Sequence, residues 1–206
     1  MSLTQALKRR GKTVALLDLD FASPCAQLLT QTKSNLQVDK KGFTPATTEE
    51  GIELFSFGLL LSQDTPVMLR GIKRAEIVQQ LAKDIRWNKP DYIVVDLPSG
   101  IQEESLSLLR NLKPNKTVII IQPDKLSISS ARRIIKALRH MKVNVSGIVE
   151  NMGYIKCPKC GEETKLFADS AKQLSQETKV AFLGSIPFIP HPKTLPIDES
   201  VIRKVM

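Results

Sequence analysis

Short apolar runs rich in β-branched residues alternate along the chain with longer segments in which apolar residues recur at helical spacing. Several of the short runs are apolar at successive positions, which is typical of strands buried on both faces of a parallel sheet. The pattern predicts six strands, at residues 13–17, 52–57, 92–95, 117–121, 145–149 and 180–186.

Between the strands, the periodicity predicts helices at residues 3–10, 74–85, 103–112, 127–141 and 169–177. In the segment 127–141, apolar residues recur at helical spacing, at Ala131, Ile134, Ile135, Leu138 and Met141. This alternation predicts one α/β domain over residues 1–206, a layered and mostly parallel sheet flanked by helices. Polar residues 31–50 and the proline-rich residues 187–196 are predicted to be loops.

The composition is that of an ordinary globular protein, with 42% hydrophobic and 25% charged residues. No apolar run approaches the roughly 18 residues that a membrane helix needs, and the first ten residues lack the apolar centre of a secretory signal. The three cysteines do not form a disulfide framework. We therefore expect a cytosolic protein without a membrane partner.

The net charge of +9 raises the question of a nucleic-acid or membrane-surface partner. The basic residues are spread along the chain, and their densest clusters, at 8–10 and 132–133, lie in predicted helices. Aromatic residues make up only 5% of the chain, too few for platforms on which bases stack. The charge is therefore interpreted as a solvated surface, and no nucleic-acid partner is expected.

The segment CPKCG at 157–161 carries two thiols three positions apart. Both can face one metal, and Gly161 lets backbone amides approach the sulfurs. A zinc or iron–sulfur site usually has four ligands, and the chain has no second pair of this kind. Three interpretations stay open: a second copy of the chain supplies the other two ligands, the pair does redox chemistry, or it is incidental.

Two predicted strands run directly into acidic residues. Asp18 and Asp20 follow the first strand, and Asp96 follows the third, ahead of Leu-Pro-Ser-Gly100. Ligands of open parallel sheets bind beyond the carboxyl ends of the strands, and carboxylates there can hold Mg²⁺ through its waters. The pair of acid-tipped strands favours a nucleotide site, with Gly100 allowing a backbone amide to approach the terminal phosphate.

Four segments occur in the order seen in the Mrp/ApbC family: LLDLDFASP at 16–24, VVDLPSG at 94–100, ENMG at 150–153 and CPKCG at 157–161. Segments 58–61 and 66–71 are also similar to that family. The resemblance implies a P-loop NTPase fold of the MinD/ParA type. It also implies an ATP-dependent carrier of iron–sulfur clusters that acts on iron–sulfur or other metalloprotein clients.

The resemblance also implies roles for individual residues. Asp20 corresponds to the switch I carboxylate that organises the attacking water and Mg²⁺, with Asp18 supporting the outer shell of the metal. Asp96 corresponds to the Walker B acid and Gly100 to the switch II glycine.

Further along the chain, Asn151 resembles the adenine-contacting asparagine, and Pro187 and Phe188 would flank the base. Cys157 and Cys160 would bind an iron–sulfur cluster, or zinc, across a homodimer. Cys25 is expected to be a small buried residue.

Two features depart from the family pattern. No Gly-Lys-Gly-Gly-Val-Gly-Lys-Ser-like Walker A loop and no strand before it are found, because residues 2–12 resemble the helix that follows that loop. We therefore expect a chain shortened at its N-terminus, with weak or absent binding of ATP and Mg²⁺. The last residues, 201–206, stop without a clear cap, which favours shortening at the C-terminus as well. In addition, Ile101-Gln102-Glu103 stand where the family usually has Thr-Gly-Asp.

Three alternative functions remain at this stage. A nickel or other metallochaperone ATPase of the HypB/MinD type shares the fold and can share a cysteine pair. A non-catalytic, zinc-stapled dimerisation module needs no nucleotide. A membrane-positioning ATPase of the MinD type would need a basic amphipathic helix, which the visible C-terminus does not show.

Overall fold

Strands and helices alternate in the computed structural model, which describes residues 1–32, 36–60, 71–165, 167, 170–189 and 199–205. The chain divides into two units, Met1–Leu112 and Lys113–Met206. Each unit contains parallel strands flanked by helices, so the predicted α/β fold class is confirmed.

The first unit has a sheet in which β1 lies between β5 and β6, parallel to both, while β4 pairs antiparallel with β5. All five residues of β1 are buried, as its continuous apolar sequence predicts. A separate hairpin joins β2 to β3. The elements are α1 (Ser2–Arg9), β1 (Val14–Asp18), α2 (Ala26–Leu29), β2 (Gln37–Asp39), β3 (Gly42–Thr44), β4 (Ala46–Thr47), β5 (Glu53–Ser56), a 3₁₀ turn (Phe57–Leu59), α3 (Gly71–Asp84), β6 (Tyr92–Asp96) and α4 (Glu103–Leu112).

In the second unit, β8 lies between β7 and β10 and is parallel to both, and β9 pairs antiparallel with the far end of β8. Helix α5 begins after Asp124, whose side chain accepts the N–H groups of Leu126 and Ser127 at 2.9 Å. The elements are β7 (Thr117–Ile121), α5 (Lys125–His140), β8 (Val145–Lys156), β9 (Glu163–Lys165), α6 (Ser170–Thr178), β10 (Phe182–Phe188) and α7 (Glu199–Val205).

Strands β6 and β7 are each the outermost strand of their sheet within the described ranges. Both are apolar at successive positions, the pattern that predicts burial on both faces. Ile93 of β6 is 48% exposed and Ile120 of β7 is 59% exposed, so one face of each strand is not covered at these positions. For these two strands the predicted two-sided burial is therefore wrong.

The predicted loop at 31–50 is also wrong, because it contains β2, β3 and β4. These strands are short, and every residue of β2 is exposed, so no apolar alternation marks them. A long-range contact stabilises the hairpin instead: the Arg86 guanidinium donates to both carboxyl oxygens of Asp39 at 2.9 Å.

Three further boundaries differ from the prediction. Strand β8 continues to Lys156, β9 forms where no strand is predicted, and β10 includes Pro187 and Phe188, which lie in the predicted loop. Pairing across the sheet extends all three strands beyond their apolar stretches. Residues 61–70, which overlap the family-like segments 58–61 and 66–71, and residues 190–198, which overlap the predicted loop 187–196, lie outside the described residues.

Candidate functional site

The carboxyl ends of β1 and β6 bring two acids together. Asp18 and Asp96 are register partners on these parallel strands, and the backbone N–H of Leu19 donates to the Asp96 carbonyl at 2.9 Å. Desolvation raises the pKa of Asp96, and the charge of Asp20, two residues after Asp18, acts in the same direction. The sheet thus assembles, at one edge, the three acids that the sequence predicts.

Asp18 is the most buried of the three acids, with 2% of its surface exposed. The N–H groups of Asp20 and Ala26 donate to its carboxyl group at 3.0 and 3.2 Å, and Ser56 Oγ donates at 2.9 Å. Burial raises the pKa of Asp18, although these hydrogen bonds act in the opposite direction. Asp18 therefore ties β1 to α2 and to the end of β5.

Asp96 and Asp20 have more open surroundings. Desolvation raises the pKa of Asp96, although part of its surface is exposed, and the Met1 ammonium group opposes that shift. The Asp20 Oδ1 atom accepts the N–H groups of Ala22 and Ser23 at 3.1 Å, which orders the following turn. Within the described residues these acids do not form a group that could hold a metal ion directly, but carboxyl oxygens can contact the waters of a hydrated cation such as Mg²⁺.

Gly100 follows β6 with φ of +82°, in the left-handed region, and a Cβ there would meet nothing within 4 Å. Its backbone is therefore open to a ligand, and glycine is favoured because of the φ angle.

The raised pKa of Asp18 predicts a pH-dependent stability. A raised pKa means that the folded chain holds this proton more tightly, so its ionisation destabilises the fold as pH rises from the ordinary value of 3.8 through the raised value. From about pH 4 to about pH 8, we expect the free energy of unfolding of the wild type to fall relative to that of Asp18→Asn, measured by urea denaturation.

Asp91 provides a control of opposite sign. The N–H and hydroxyl groups of Thr13 lower the pKa of Asp91, so it titrates below this range. Between about pH 4 and about pH 8, the free energy of unfolding of the wild type should therefore not fall relative to that of Asp91→Asn. A wild-type curve that runs parallel to the Asp18→Asn curve would contradict the assignment.

In the second unit, the segment 150–153 forms a bulge in β8. Ser185 pairs with Glu150 and Pro187 with Tyr154, so three residues of β8 face the single residue between them on β10. Met152 adopts φ of +59°, a left-handed conformation that is rare for residues other than glycine. The half-buried Asn151 is part of this bulge.

An apolar pocket of about 240 Å³ lies beside the bulge. Three residues are predicted to contact or flank a base. Phe188 lines this pocket, while Asn151 and Pro187 directly precede the lining residues Met152 and Phe188 in the sequence. The lining residues are Gln122, Pro123, Asp124, Met152, Phe167 and Phe188. Phe167 and Phe188 are 50% and 39% exposed, so their rings leave apolar surface available to a flat ligand.

Cys157 and Cys160 occupy the turn that joins β8 to β9. The Cys157 N–H donates to the Glu162 carbonyl at 2.8 Å, and the Gly161 N–H donates to the Cys157 carbonyl at 2.9 Å. Backbone N–H groups of Cys160 and Lys159, followed by the Cys160 thiol, lower the pKa of Cys157. The turn thus favours a thiolate with a second, exposed thiol beside it.

No group of three or more His, Cys, Asp or Glu side chains that could hold a metal ion occurs within the described residues. The cysteine pair therefore offers two ligands from one copy of the chain. None of the helices in the described ranges is long and apolar enough to cross a membrane.

The expectation for Cys25 is wrong, because this residue is exposed at the start of α2 and its Sγ donates to the Ser23 carbonyl at 3.0 Å. Sequence reasoning also missed Ser56, Met152 and Phe167. Ser56 becomes visible only through its register with Asp18. A glycine inside a strand, such as Gly153, can signal a bulge, but nothing in the sequence assigns Phe167 to a pocket.

The chain is similar to known proteins in both sequence and structure. A family model for ParA-type proteins, described as "NUBPL iron-transfer P-loop NTPase", matches residues 1–200. The chain is 34% identical over 197 residues to the human cytosolic Fe-S cluster assembly factor NUBP2, covering 91% of this chain and 72% of that protein. It is 29% identical over 199 residues to an iron-sulfur cluster carrier protein of Pyrococcus horikoshii, covering 91% and 68%.

Among solved structures, a nucleotide-binding protein in complex with ADP from Archaeoglobus fulgidus superimposes with a TM-score of 0.74 at 29% identity, covering 98% of this chain and 76% of that one. The Mg-ADP complex of MinD from Pyrococcus horikoshii matches with a TM-score of 0.65 at 16% identity, a likeness of fold alone. The class defined by this fold and its acid-tipped strands is the MinD/ParA type of P-loop NTPase. Within that class, the chain belongs to the family of NUBPL iron-transfer P-loop NTPases.

Proposed function

We propose that this chain carries an iron–sulfur cluster held between two copies, with Cys157 and Cys160 of each copy as its ligands. The observation that carries the proposal is the thiol pair on the β8–β9 turn, where backbone N–H groups favour the thiolate of Cys157. The names of the relatives, which include cluster assembly factors and a cluster carrier protein, support it.

A homodimer follows from counting ligands. A cluster usually takes four thiolates, and one copy offers two at this turn. Two-fold symmetry brings the same surface patch of both copies together, so two turns can supply four sulfurs without a further protein. An exposed turn also lets the cargo leave for an acceptor, which we propose to be an iron–sulfur protein in the cytosol.

We further propose that nucleotide, which this 206-residue chain is expected to bind weakly, changes the dimer when it is bound. Asp20 and Asp96 would hold the waters of Mg²⁺, Asp18 would order the turn that carries Asp20, and Gly100 would admit the terminal phosphate. Separately, within the second unit, Asn151, Pro187 and Phe188 lie at or beside the apolar pocket, which we propose as a site for a flat ring. When bound, ATP supplies the γ-phosphate whose loss changes such switches between two states.

Anaerobic reconstitution with iron and sulfide tests the carrier function. We expect visible absorbance from a cluster, with one cluster per two chains by metal and sulfide analysis and a dimer in light scattering. Tight zinc binding without cluster uptake would contradict the proposal in favour of a zinc-stapled module. Selective nickel binding would favour a nickel metallochaperone.

ATP binding to this 206-residue chain is expected to be weak. The sequence contains no Walker A loop, whose amides and lysine normally contact the phosphates. Hydrogen bonds to charged groups contribute roughly 1.5–3 kcal/mol each. Losing three therefore weakens binding on the order of a thousandfold or more. Calorimetry with ATP and Mg²⁺ measures this directly, and micromolar affinity would contradict the prediction.

A further inference from the structure

Glu150 is a buried acid beside the predicted base site, to which none of the functions above assigns a role. It is 6% exposed and lies in β8 opposite Ser185 of β10. Ser185 Oγ donates to Glu150 Oε2 at 2.6 Å. A buried carboxyl group is costly unless it is hydrogen-bonded, so the position of this group is defined by its partner.

The carboxyl group of Glu150 also lies directly against Gly153. A Cβ built on Gly153 would come within 2.5 Å of Glu150 Oε2 and within 3.1 Å of Ser185 Oγ. The absence of a side chain at Gly153 therefore makes room for the Glu150 carboxyl group. Glu150 and Gly153, the first and last residues of the ENMG segment, therefore lie against each other. Asn151 and Met152, between them, belong to the bulge.

The conformation of the bulge supports a functional interpretation. Met152 is held at φ of +59°, which a methionine does not adopt without support from its surroundings, and such conformations cluster at ligand sites. Met152 forms part of the wall of the 240 Å³ pocket, together with Phe188. A shift of the bulge would therefore change the shape of the pocket.

We propose that Glu150 is a positioning residue: its carboxyl group, bonded to Ser185 and seated against Gly153, fixes the bulge and so shapes the pocket for the flat ring of a purine. This assignment rests on the proposed nucleotide function for its ligand, but the geometry of the bulge can be tested by itself. Glu150 does not touch the base; it acts through Met152 and Asn151.

The test uses the full chain with ¹³C-labelled methionine methyl groups, observed by NMR and titrated with adenosine. Adenosine lacks phosphates, so its binding does not depend on a phosphate-binding loop. In Glu150→Ala and Ser185→Ala we expect the Met152 methyl resonance to move while that of Met141, at the end of α5, stays in place. Adenosine affinity should fall at least about tenfold, a loss read directly from the titration.

Glu177→Ala is the matched control, because Glu177 is an exposed acid of the same unit that pairs with Arg132 rather than with the bulge. It should leave the Met152 resonance and adenosine affinity unchanged. Glu150→Gln keeps the size of the side chain and serves as a second variant should Glu150→Ala fold poorly; we expect it to move the Met152 resonance less than Glu150→Ala does.

A double-variant cycle tests the contact with Gly153. Gly153→Ala alone forces its new Cβ against the Glu150 carboxyl group, whereas Glu150→Ala removes that group. The combined variant should therefore unfold at a higher temperature than the sum of the two single shifts predicts. Additive shifts, or an unmoved Met152 resonance in Glu150→Ala, would overturn the proposal. If the wild-type chain does not bind adenosine but the variants still move the Met152 resonance, the proposed base site is wrong and the effect of Glu150 on the bulge stands.

Discussion

We expect the Cys157→Ser variant to lose essentially all iron–sulfur absorbance after anaerobic reconstitution. In a symmetric dimer one substitution removes two of four sulfur ligands, and the lost thiol is the one whose pKa the backbone N–H groups lower. A serine hydroxyl keeps the shape of the side chain but is a poor ligand for iron at neutral pH. Visible absorbance, with iron and sulfide analysis, measures the loss.

Cys25→Ser is the matched control for this variant. Cys25 is also an exposed, free cysteine, but it lies at the start of α2 in the first unit. This variant should take up as much cluster as the wild type, whereas Cys160→Ser should behave like Cys157→Ser. Equal losses from Cys25→Ser and Cys157→Ser would show that uptake is non-specific and would contradict the assignment of the turn.

The largest expected effect on stability comes from Leu54→Ala in β5. Leu54 is fully buried, is a register partner of Leu16 in β1, and packs in a cluster with Leu16, Ala26 and Ile52. Removing its side chain leaves a cavity between strand and helix, which typically costs about 2–5 kcal/mol. Urea denaturation should show a corresponding decrease in the free energy of unfolding.

Leu29→Ala makes the same chemical change on the surface of the same unit, where Leu29 is 63% exposed. Its free energy of unfolding should stay within about 0.5 kcal/mol of the wild type. Similar losses in the two variants would mean that the cluster around Leu54 is not the packed core of this unit.

The pattern of apolar residues predicted most of the helices that bury one face and most of the strands that bury one or both faces. Strand β7 has the predicted limits, and the predicted face of α5 is buried at Ala131, Ile135 and Leu138. Where pairing rather than apolar sequence decides, prediction failed. The polar β2–β3 hairpin pairs two short strands with no apolar alternation, and its Asp39 is held by the distant Arg86, while the extension of β8 beyond Val149 pairs with β9 and with the distant β10.

The candidate site shows the same division. The three acids were visible as the ends of strands, and the cysteine pair was visible from its spacing. The contacts of Glu150 and Ser56 could not be predicted, because strand register places Glu150 opposite Ser185 and Ser56 opposite Asp18. The exposure of Cys25 was also hidden, because a lone cysteine after a proline carries no periodic signal.

The sequence by itself determined the class of fold, the acid-tipped strands and the paired thiols, because each depends on the order and spacing of nearby residues. Only the tertiary structure decided that Asp18 and Asp96 meet at one edge of a sheet, since strands far apart in the chain pair there. Only the tertiary structure also placed the carboxyl group of Glu150 against Gly153. The bulge that brings them together depends on how many residues of β8 lie opposite each residue of β10.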